Sequence, residues 1–156
     1  MPNPLADFMI DSFRSATQRF TEDLAVLDHE DLAKTMGEGG RCAYDFIYEV
    51  AIINARLAMK MRGEDPGPPA WDFGKEWLKA PEAYRTKDAA TDYFKGRADE
   101  LMAEYAKVES PVMLENDAPT TMFKNLQFLM GHTMYHDAQL NFLQSLKGDM
   151  AVHWSD

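Results

Sequence analysis

Two histidines near the end of the chain are the residues whose spacing points most clearly to chemistry. His132 and His136 lie four positions apart within the apolar stretch 123–146, which has the periodicity of one long helix. Residues four apart on a helix lie on the same face, one turn above each other. Two imidazoles placed in this way can bind one metal ion, and imidazole suits zinc, nickel, copper and iron. Because two ligands do not make a site, the pair predicts that a third ligand comes from elsewhere in the fold.

A carboxylate on the second predicted helix is the candidate for that third ligand. Glu49 lies at the edge of this helix's apolar stripe, three residues after Phe46 and four before Ile53. An inward carboxylate is costly unless it is paired or coordinates a metal. Together with His132 and His136, it would provide two imidazoles and one carboxylate. This is the ligand set of catalytic zinc sites and of non-haem iron sites with open positions.

Neighbouring residues give this hypothesis its alternatives. Asp45, one turn before Glu49, could share its face and act as a ligand instead. Asp137 could orient an imidazole as an outer partner, or it could simply be solvated. The metal-free interpretation is that Glu49 pairs with an arginine, either Arg56 or Arg97. In that interpretation hydrogen bonds alone satisfy the histidines.

Long helices are needed to bring these residues together, and the periodicity predicts four of them. Apolar stripes with helical spacing, bounded by glycine- and proline-rich stretches, place the helices near residues 5–27, 42–62, 87–108 and 120–147. The sequence has no strand-like alternation of any length and no internal repeat. It therefore predicts an all-α fold, an antiparallel four-helix bundle in a single domain spanning residues 1–156. A long crossover loop, residues 64–85, joins the second helix to the third.

The composition excludes several classes of partner. The 156 residues carry a formal net charge of −10 and are 46% hydrophobic, which is typical of a globular protein with an acidic surface. Such a surface repels phosphate backbones, and no basic cluster is available for an anionic membrane, so we expect neither nucleic-acid nor membrane binding. A single cysteine, Cys42, excludes a disulfide framework, and the first residues lack the pattern of a signal peptide. We therefore expect a cytoplasmic protein.

The helical pattern and the segment His132-x-x-x-His136-x-x-Gln139 resemble the DinB-like superfamily, also called the DinB/YfiT-like superfamily. The resemblance covers nearly the whole chain and includes the stretch 44–63, which ends in a glycine as the family's second helix does. It implies a divalent metal, most often zinc or nickel, held by three histidines, one from the second helix and two from the fourth. The second helix of this chain contains no histidine, and Glu49 stands where the family's first histidine is expected.

For function, the resemblance implies a metal-dependent enzyme that acts on a small molecule. The family includes hydrolases, as well as transferases and isomerases that use a low-molecular-weight thiol such as bacillithiol, mycothiol or glutathione. It also favours a homodimer, and two-fold dimers are the commonest oligomers. The alternative is a metal-free helical bundle with a degenerate metal site that binds a small ligand or a partner protein. The residues leave this choice open, because they place ligands without identifying a substrate.

Overall fold

The structure, a computed structural model, describes residues 4–35, 37–69, 71–72, 74–108 and 117–155. Its helices are α1 (Pro4–Val26), α2 (His29–Ala33), α3 (Ala43–Met61), α4 (Lys87–Tyr105) and α5 (Asp117–Leu146), with a 3-10 turn at Glu82–Tyr84. These residues contain no strand, so the predicted all-α class is confirmed. The four long helices match the predicted ones, with ends that differ by at most three residues. None of the helices in the described ranges combines the length and apolar character needed to cross a bilayer.

Local chemistry explains where several helices begin and end. Thr86 caps α4, because its hydroxyl accepts a hydrogen bond from the backbone N–H of Ala89. α3 is followed by Gly63, whose φ of +79° lies in the region that favours glycine. The short helix α2 was not predicted. Its capping box is formed by Asp28 and Asp31, with aspartate at the position where glutamate or glutamine is usual.

Two pairs of long helices run parallel. Near their C-terminal ends α1 and α5 are joined by a hydrogen bond from an asparagine of α5 to Asp23, and their N-terminal halves share an apolar cluster. α3 and α4 are joined near their N-terminal ends by the stacking of Tyr48 on Tyr93. At the other end Arg62, just after α3, pairs with Glu100 of α4. The predicted antiparallel arrangement is therefore wrong for these two pairs.

The pairs α3–α5 and α1–α4 run antiparallel. Phe46 at the start of α3 stacks on His136 in the second half of α5, whereas Leu57 near the end of α3 lines a cavity with Asn125 from the first half of α5. Likewise Phe20, in the C-terminal half of α1, packs on the N-terminal half of α4. The parallel α3–α4 pair is possible because a long crossover separates the end of α3 from the start of α4.

Two apolar clusters of the core flank the region where the predicted ligands lie. One cluster includes Phe46 and Leu140, and the other includes Ala58 and Leu129. On α3, Glu49 lies beside Val50 of the first cluster and one turn before Ile53, which packs against the second. Close packing at both ends of this region fixes the backbones of α3 and α5 relative to each other at the level of the candidate site.

Candidate metal centre

Glu49 on α3 faces His132 and His136 on α5. The Nε2 atoms of the two imidazoles are 3.1 Å apart, and Glu49 Oε1 lies 3.3 Å from one of them and 3.8 Å from the other. The three ligand atoms all lie within 4.8 Å of one another. Ligand atoms at the usual 2.0–2.1 Å from a tetrahedral zinc ion are themselves about 3.3 Å apart. The spacing in this cluster therefore suits a single ion.

His136 is fully buried, and its neighbours determine which nitrogen carries the proton. Its Nδ1 lies 2.7 Å from Gln139 Oε1, so Nδ1 donates to that oxygen and Nε2 presents a lone pair toward Glu49. Phe46 stacks on the imidazole, with 5.0 Å between ring centroids and 8° between the planes. Burial lowers the pKa of His136, and the nearby oxygens of Glu49 and Gln139, which favour the protonated ring, only partly oppose this effect. The neutral imidazole that results is the form that binds metals.

His132 is held on one side by an aromatic ring. Phe128, one turn earlier on α5, stacks on the imidazole with 5.7 Å between centroids and 9° between planes. The Nε2 atom faces Glu49 and His136, whereas Nδ1 is buried and has no hydrogen-bond partner among the described residues. In metal sites the second ring nitrogen normally donates to an oxygen. His132 is therefore less firmly oriented than His136.

The carboxylate of Glu49 is divided between two neighbours. Oε1 faces the imidazoles, and Oε2 accepts a hydrogen bond from Arg41. Only 8% of the Arg41 side chain is exposed, and its guanidinium carbon lies 4.6 Å from the ring centroid of Trp77. Burial alone would raise the pKa of Glu49, but the adjoining imidazoles of His132 and His136 and the hydrogen bond from Arg41 outweigh burial and hold the pKa well below its ordinary value. The carboxylate is therefore ionised at neutral pH.

Electrostatics favour a cation where the three ligand atoms meet. An ionised oxygen and two ring nitrogens approach one another within 3.8 Å, so a proton or a metal ion has to lie between them. Arg41 Nη2, at 3.5 Å from His136 Nε2, adds positive charge from one side, and this charge opposes a further cation. The chemistry of the three ligand atoms nevertheless fits a metal ion. Tyr135, which meets His136 edge-on and is largely exposed, borders the opening of the site.

Asp45, which the sequence offered as a ligand in place of Glu49, lies outside this cluster. Its carboxylate pairs with Arg85 at 2.7 Å and with Lys79 at 3.2 Å, and it accepts a hydrogen bond from the backbone N–H of Ala80. Although Asp45 is one turn from Glu49, it faces the crossover loop and the start of α4 rather than α5. It fastens the loop to α3, and the suggestion that it could act as a ligand is wrong.

Two arginines and a second aspartate, which the sequence suggested as neighbours of the site, have their partners elsewhere. Arg56 donates to backbone carbonyls of residues 66–68, and Arg97 pairs with Glu100, so neither neutralises the carboxylate of the site. Asp137 lines a cavity together with α1 residues, on a different side of α5 from the imidazoles. The outer partner of the site on α5 is instead the glutamine that bonds to the buried imidazole.

Arg41 and Trp77 are site residues that the sequence did not predict. Arg41 precedes α3 and Trp77 lies in the crossover loop, so neither belongs to a helical stripe whose period would show it to face inward. Arg41 lies eight residues before Glu49 but outside the helix, so no helical period places it beside the carboxylate.

No protein-family model matches this chain, and neither does any solved structure. The resemblance to the DinB-like superfamily stays a prediction, carried by His132, His136 and Gln139 and by the pattern of the second helix. Support for a function of the site comes from its own geometry.

Proposed function

We propose that this protein is a divalent-metal-dependent enzyme in which Glu49, His132 and His136 hold zinc or nickel. The observation that carries the proposal is the approach of three ligand atoms, from two facing helices, to within 4.8 Å of one another. Two imidazoles and one carboxylate are typical of catalytic sites that keep a coordination position open. The resemblance to the DinB-like superfamily supports the same two helices as the source of the ligands.

The chain's own residues prepare this site for metal-assisted chemistry. A divalent ion, when bound, supplies a lowered pKa for a coordinated water or thiol, so that hydroxide or thiolate is available near neutral pH. Glu49 would offer Oε1 to the ion while Arg41 holds Oε2, and Gln139, by accepting from Nδ1 of His136, keeps its Nε2 free of a proton. We propose a hydrolase if water takes the open position, and a transferase or isomerase if a low-molecular-weight thiol takes it.

The proposal extends to the architecture of the molecule. Each of the four long helices contacts two of the others, which supports one four-helix bundle domain with two helices in each direction. The DinB-like resemblance supports a homodimer. The single buried Cys42 supports a reducing, cytoplasmic location.

Metal content tests the proposed function directly. The full chain, purified after removal of its affinity tag, should hold or take up one zinc or nickel ion per chain by mass spectrometry and titration. His136→Ala should abolish uptake, because it removes a buried ligand that nothing nearby replaces. His132→Ala should weaken uptake strongly. Glu49→Gln should lower affinity and leave the fold intact, because the amide keeps the shape and loses the charge. His153→Ala, which removes a histidine that bonds to Asp149, is the matched control.

The proposed site also predicts how metal affinity depends on pH and which results would contradict it. Metal affinity should fall as the pH drops below the ordinary pKa of histidine, because imidazolium cannot ligate and burial holds the pKa of His136 below that value. An unchanged zinc titration of the Glu49→Gln protein would remove Glu49 from the site. Absence of zinc and nickel uptake by the unmutated protein would overturn the enzyme proposal.

A second candidate function, a metal-free bundle that binds a small ligand or a partner protein, is favoured by one observation. Arg41 bonds to Oε2 of Glu49 and lies 3.5 Å from His136 Nε2, so the cluster already has a cation beside it. In this case the two histidines and Glu49 form a hydrogen-bonded network that the arginine neutralises. Full metal loading would exclude this second function, and lack of uptake would support it.

A further inference from the structure

A cavity of about 290 Å³ lies between α3 and α5, next to the candidate ligands. Its walls are mainly apolar and come from both helices and from the crossover loop: Ile53, Leu57, Pro69, Phe128 and Leu129. Mainly apolar walls with a few polar groups are typical of small-molecule sites, although this volume is at the small end of their range.

The cavity and the metal ligands occupy successive turns of the same helix–helix interface. Ile53 follows Glu49 by one turn of α3, and Phe128 precedes His132 by one turn of α5. Because these helices are antiparallel, both steps lead in the same direction. Phe128 lines the cavity and also stacks on the His132 ring, so a molecule in the cavity would adjoin a ligand of the proposed ion.

The charge of the cavity is opposite to that of the molecule. Among the residues that the structure describes, two cationic ones, Arg56 and Lys60, line it and no carboxylate does, in a chain whose net charge is −10. The guanidinium of Arg56 donates to backbone carbonyls of residues 66–68, which fix its position, and it forms no ion pair with any described carboxylate. Lys60 is exposed and takes part in no ion pair within the described ranges.

We propose that this cavity holds the apolar body of a small organic anion that is the substrate of the metal site. The inference rests on the proposed function. The anionic end would lie at Lys60 and Arg56, and the reacting end would lie at the metal. These cations follow Glu49 by seven and eleven residues, about 10 and 16 Å along the helix axis. Because helical side chains lean toward the N-terminus, the charges themselves lie closer to the site than this. The geometry therefore selects an elongated anion whose charge is remote from the reacting atom.

Calorimetric titration with octane-1-sulfonate tests the assignment, since a sulfonate is a poor zinc ligand and reports on the cationic end. It should bind the full chain with and without zinc, and octan-1-ol should bind at least about tenfold more weakly. Lys60→Gln should weaken sulfonate binding about fivefold, as expected for one partly exposed ion pair. Leu57→Trp, which fills the cavity, should abolish binding while zinc uptake persists. Lys95→Gln removes the same charge from the exposed side of α4 and should change nothing.

The two proposals fail in distinguishable ways. Absent sulfonate binding, or equal binding by the Lys60→Gln protein, overturns the cavity assignment even if zinc uptake is normal. The protein could instead bind the sulfonate through Lys60 and take up no zinc or nickel. This result overturns the proposed enzymatic function and the role of the anion as its substrate, and it leaves an anion-binding site on a metal-free bundle. Circular dichroism of each variant establishes that it is folded. If the Leu57→Trp protein unfolds, the comparison of Lys60→Gln with Lys95→Gln still tests whether the cavity binds the sulfonate.

Discussion

Glu49 uses its two oxygens for two different cations, Arg41 and the ion that we propose. In the metal-free protein Arg41→Gln leaves a buried carboxylate without its compensating charge. Because the Glu49 side chain is 13% exposed, we expect a loss of about 2–3 kcal/mol in the free energy of unfolding, somewhat less than for a fully buried pair. Zinc should raise the melting temperature of this variant more than that of the unmutated protein, since the metal replaces the missing positive charge.

Arg62→Gln provides the control for this comparison. It removes a guanidinium that pairs with Glu64 and Glu100, away from the site, so zinc should stabilise it as much as it stabilises the unmutated protein. Zinc could instead raise the melting temperature of the Arg41→Gln protein less than that of the unmutated protein. That result would mean that Arg41 orients Glu49 for the metal, and not that Arg41 substitutes for the charge of the metal.

Gln139 determines which nitrogen of His136 is available to a metal. Without its oxygen, Nδ1 has no acceptor at 2.7 Å and the proton is free to move to Nε2. Gln139→Leu should therefore lower zinc affinity at least about tenfold, the effect of losing an outer hydrogen-bond partner of a ligand. A competition titration with a chelator measures the change. Gln127→Leu, at an exposed position on the same helix, should leave the affinity as it is.

Asp137, on the side of α5 that faces α1, is also a buried carboxyl. Burial, together with the charge of Asp23, raises its pKa from 3.8 to about 7. A group whose pKa is higher in the folded state contributes its full stability below pH 3.8 and loses it as the pH rises through 7. Asp137→Asn keeps the neutral form at every pH. Its stability advantage over the unmutated protein should therefore grow by about 1–3 kcal/mol between pH 5 and pH 8 in urea unfolding. An advantage that is constant with pH would contradict the raised pKa.

At the scale of elements, Asp45 fastens the crossover loop to α3 at the end where α4 begins. Its carboxylate accepts from Ala80 and pairs with Arg85 and Lys79, and both cations are partly exposed. Asp45→Ala should reduce the free energy of unfolding by about 2 kcal/mol, because it leaves a buried backbone N–H without its acceptor and two cations without their partner. Zinc affinity should not change, in contrast to Glu49→Gln. A loss of zinc binding equal to that of Glu49→Gln would make Asp45 a ligand after all.

The sequence predicted those elements whose residues repeat with the period of a helix. The stripes of α3 and α5 place Glu49, His132 and His136 on inward faces, because burial imposes the 3.6-residue period on the apolar residues around them. Asp45 lies one helical turn before Glu49, but its partners are in the crossover loop and not on α5. Periodicity cannot show this difference, because the neighbour that a helical residue contacts depends on how the helices pack. Arg41 lies before α3 and has no period, so only the structure shows it in the site.

The relative direction of the packed helices was the main feature of the fold that the hydrophobic periodicity could not predict. An apolar stripe is the same whether its partner helix runs parallel or antiparallel. The direction depends on the connections, and the crossover between α3 and α4 is long enough to permit either. The capping chemistry fixes where α3 ends, at Gly63, and where α4 begins, at Thr86, but it does not determine the path of the loop between them.

At the scale of the whole molecule, the net charge of −10 acts on both proposed ligands. An acidic surface raises the local concentration of divalent cations and lowers that of organic anions. The pair of cations at Arg56 and Lys60 is therefore a local exception within a repulsive field. Salt screens the long-range part of that field over about 10 Å at 0.1 M. An anionic substrate would consequently associate faster at moderate ionic strength than at very low ionic strength, the reverse of the usual behaviour for charged ligands that proteins attract.

The outer face of α5 bears on the oligomeric state. Phe128, Tyr135 and Phe142 follow one another at intervals of seven and are 59%, 60% and 54% exposed. Intervals of seven place them on one side of the helix. Gly131 and Ala138 lie between them on the same face, so two copies of α5 packed antiparallel would set large side chains against small ones. This pattern is self-complementary, as a two-fold interface requires.

We therefore expect sedimentation velocity at micromolar concentration to give a species of twice 17.8 kDa. Phe142→Lys should shift it to the single-chain mass, because a charge would be placed in an apolar contact without a partner. Phe142 is the residue to change, since Phe128 and Tyr135 contact the imidazoles directly. Val152→Lys, at an exposed position near the C-terminus, is the matched control and should remain dimeric. A single-chain mass for the unmutated protein would contradict the homodimer. A dimer that survives Phe142→Lys would place its interface on another face, with zinc content unaffected in either case.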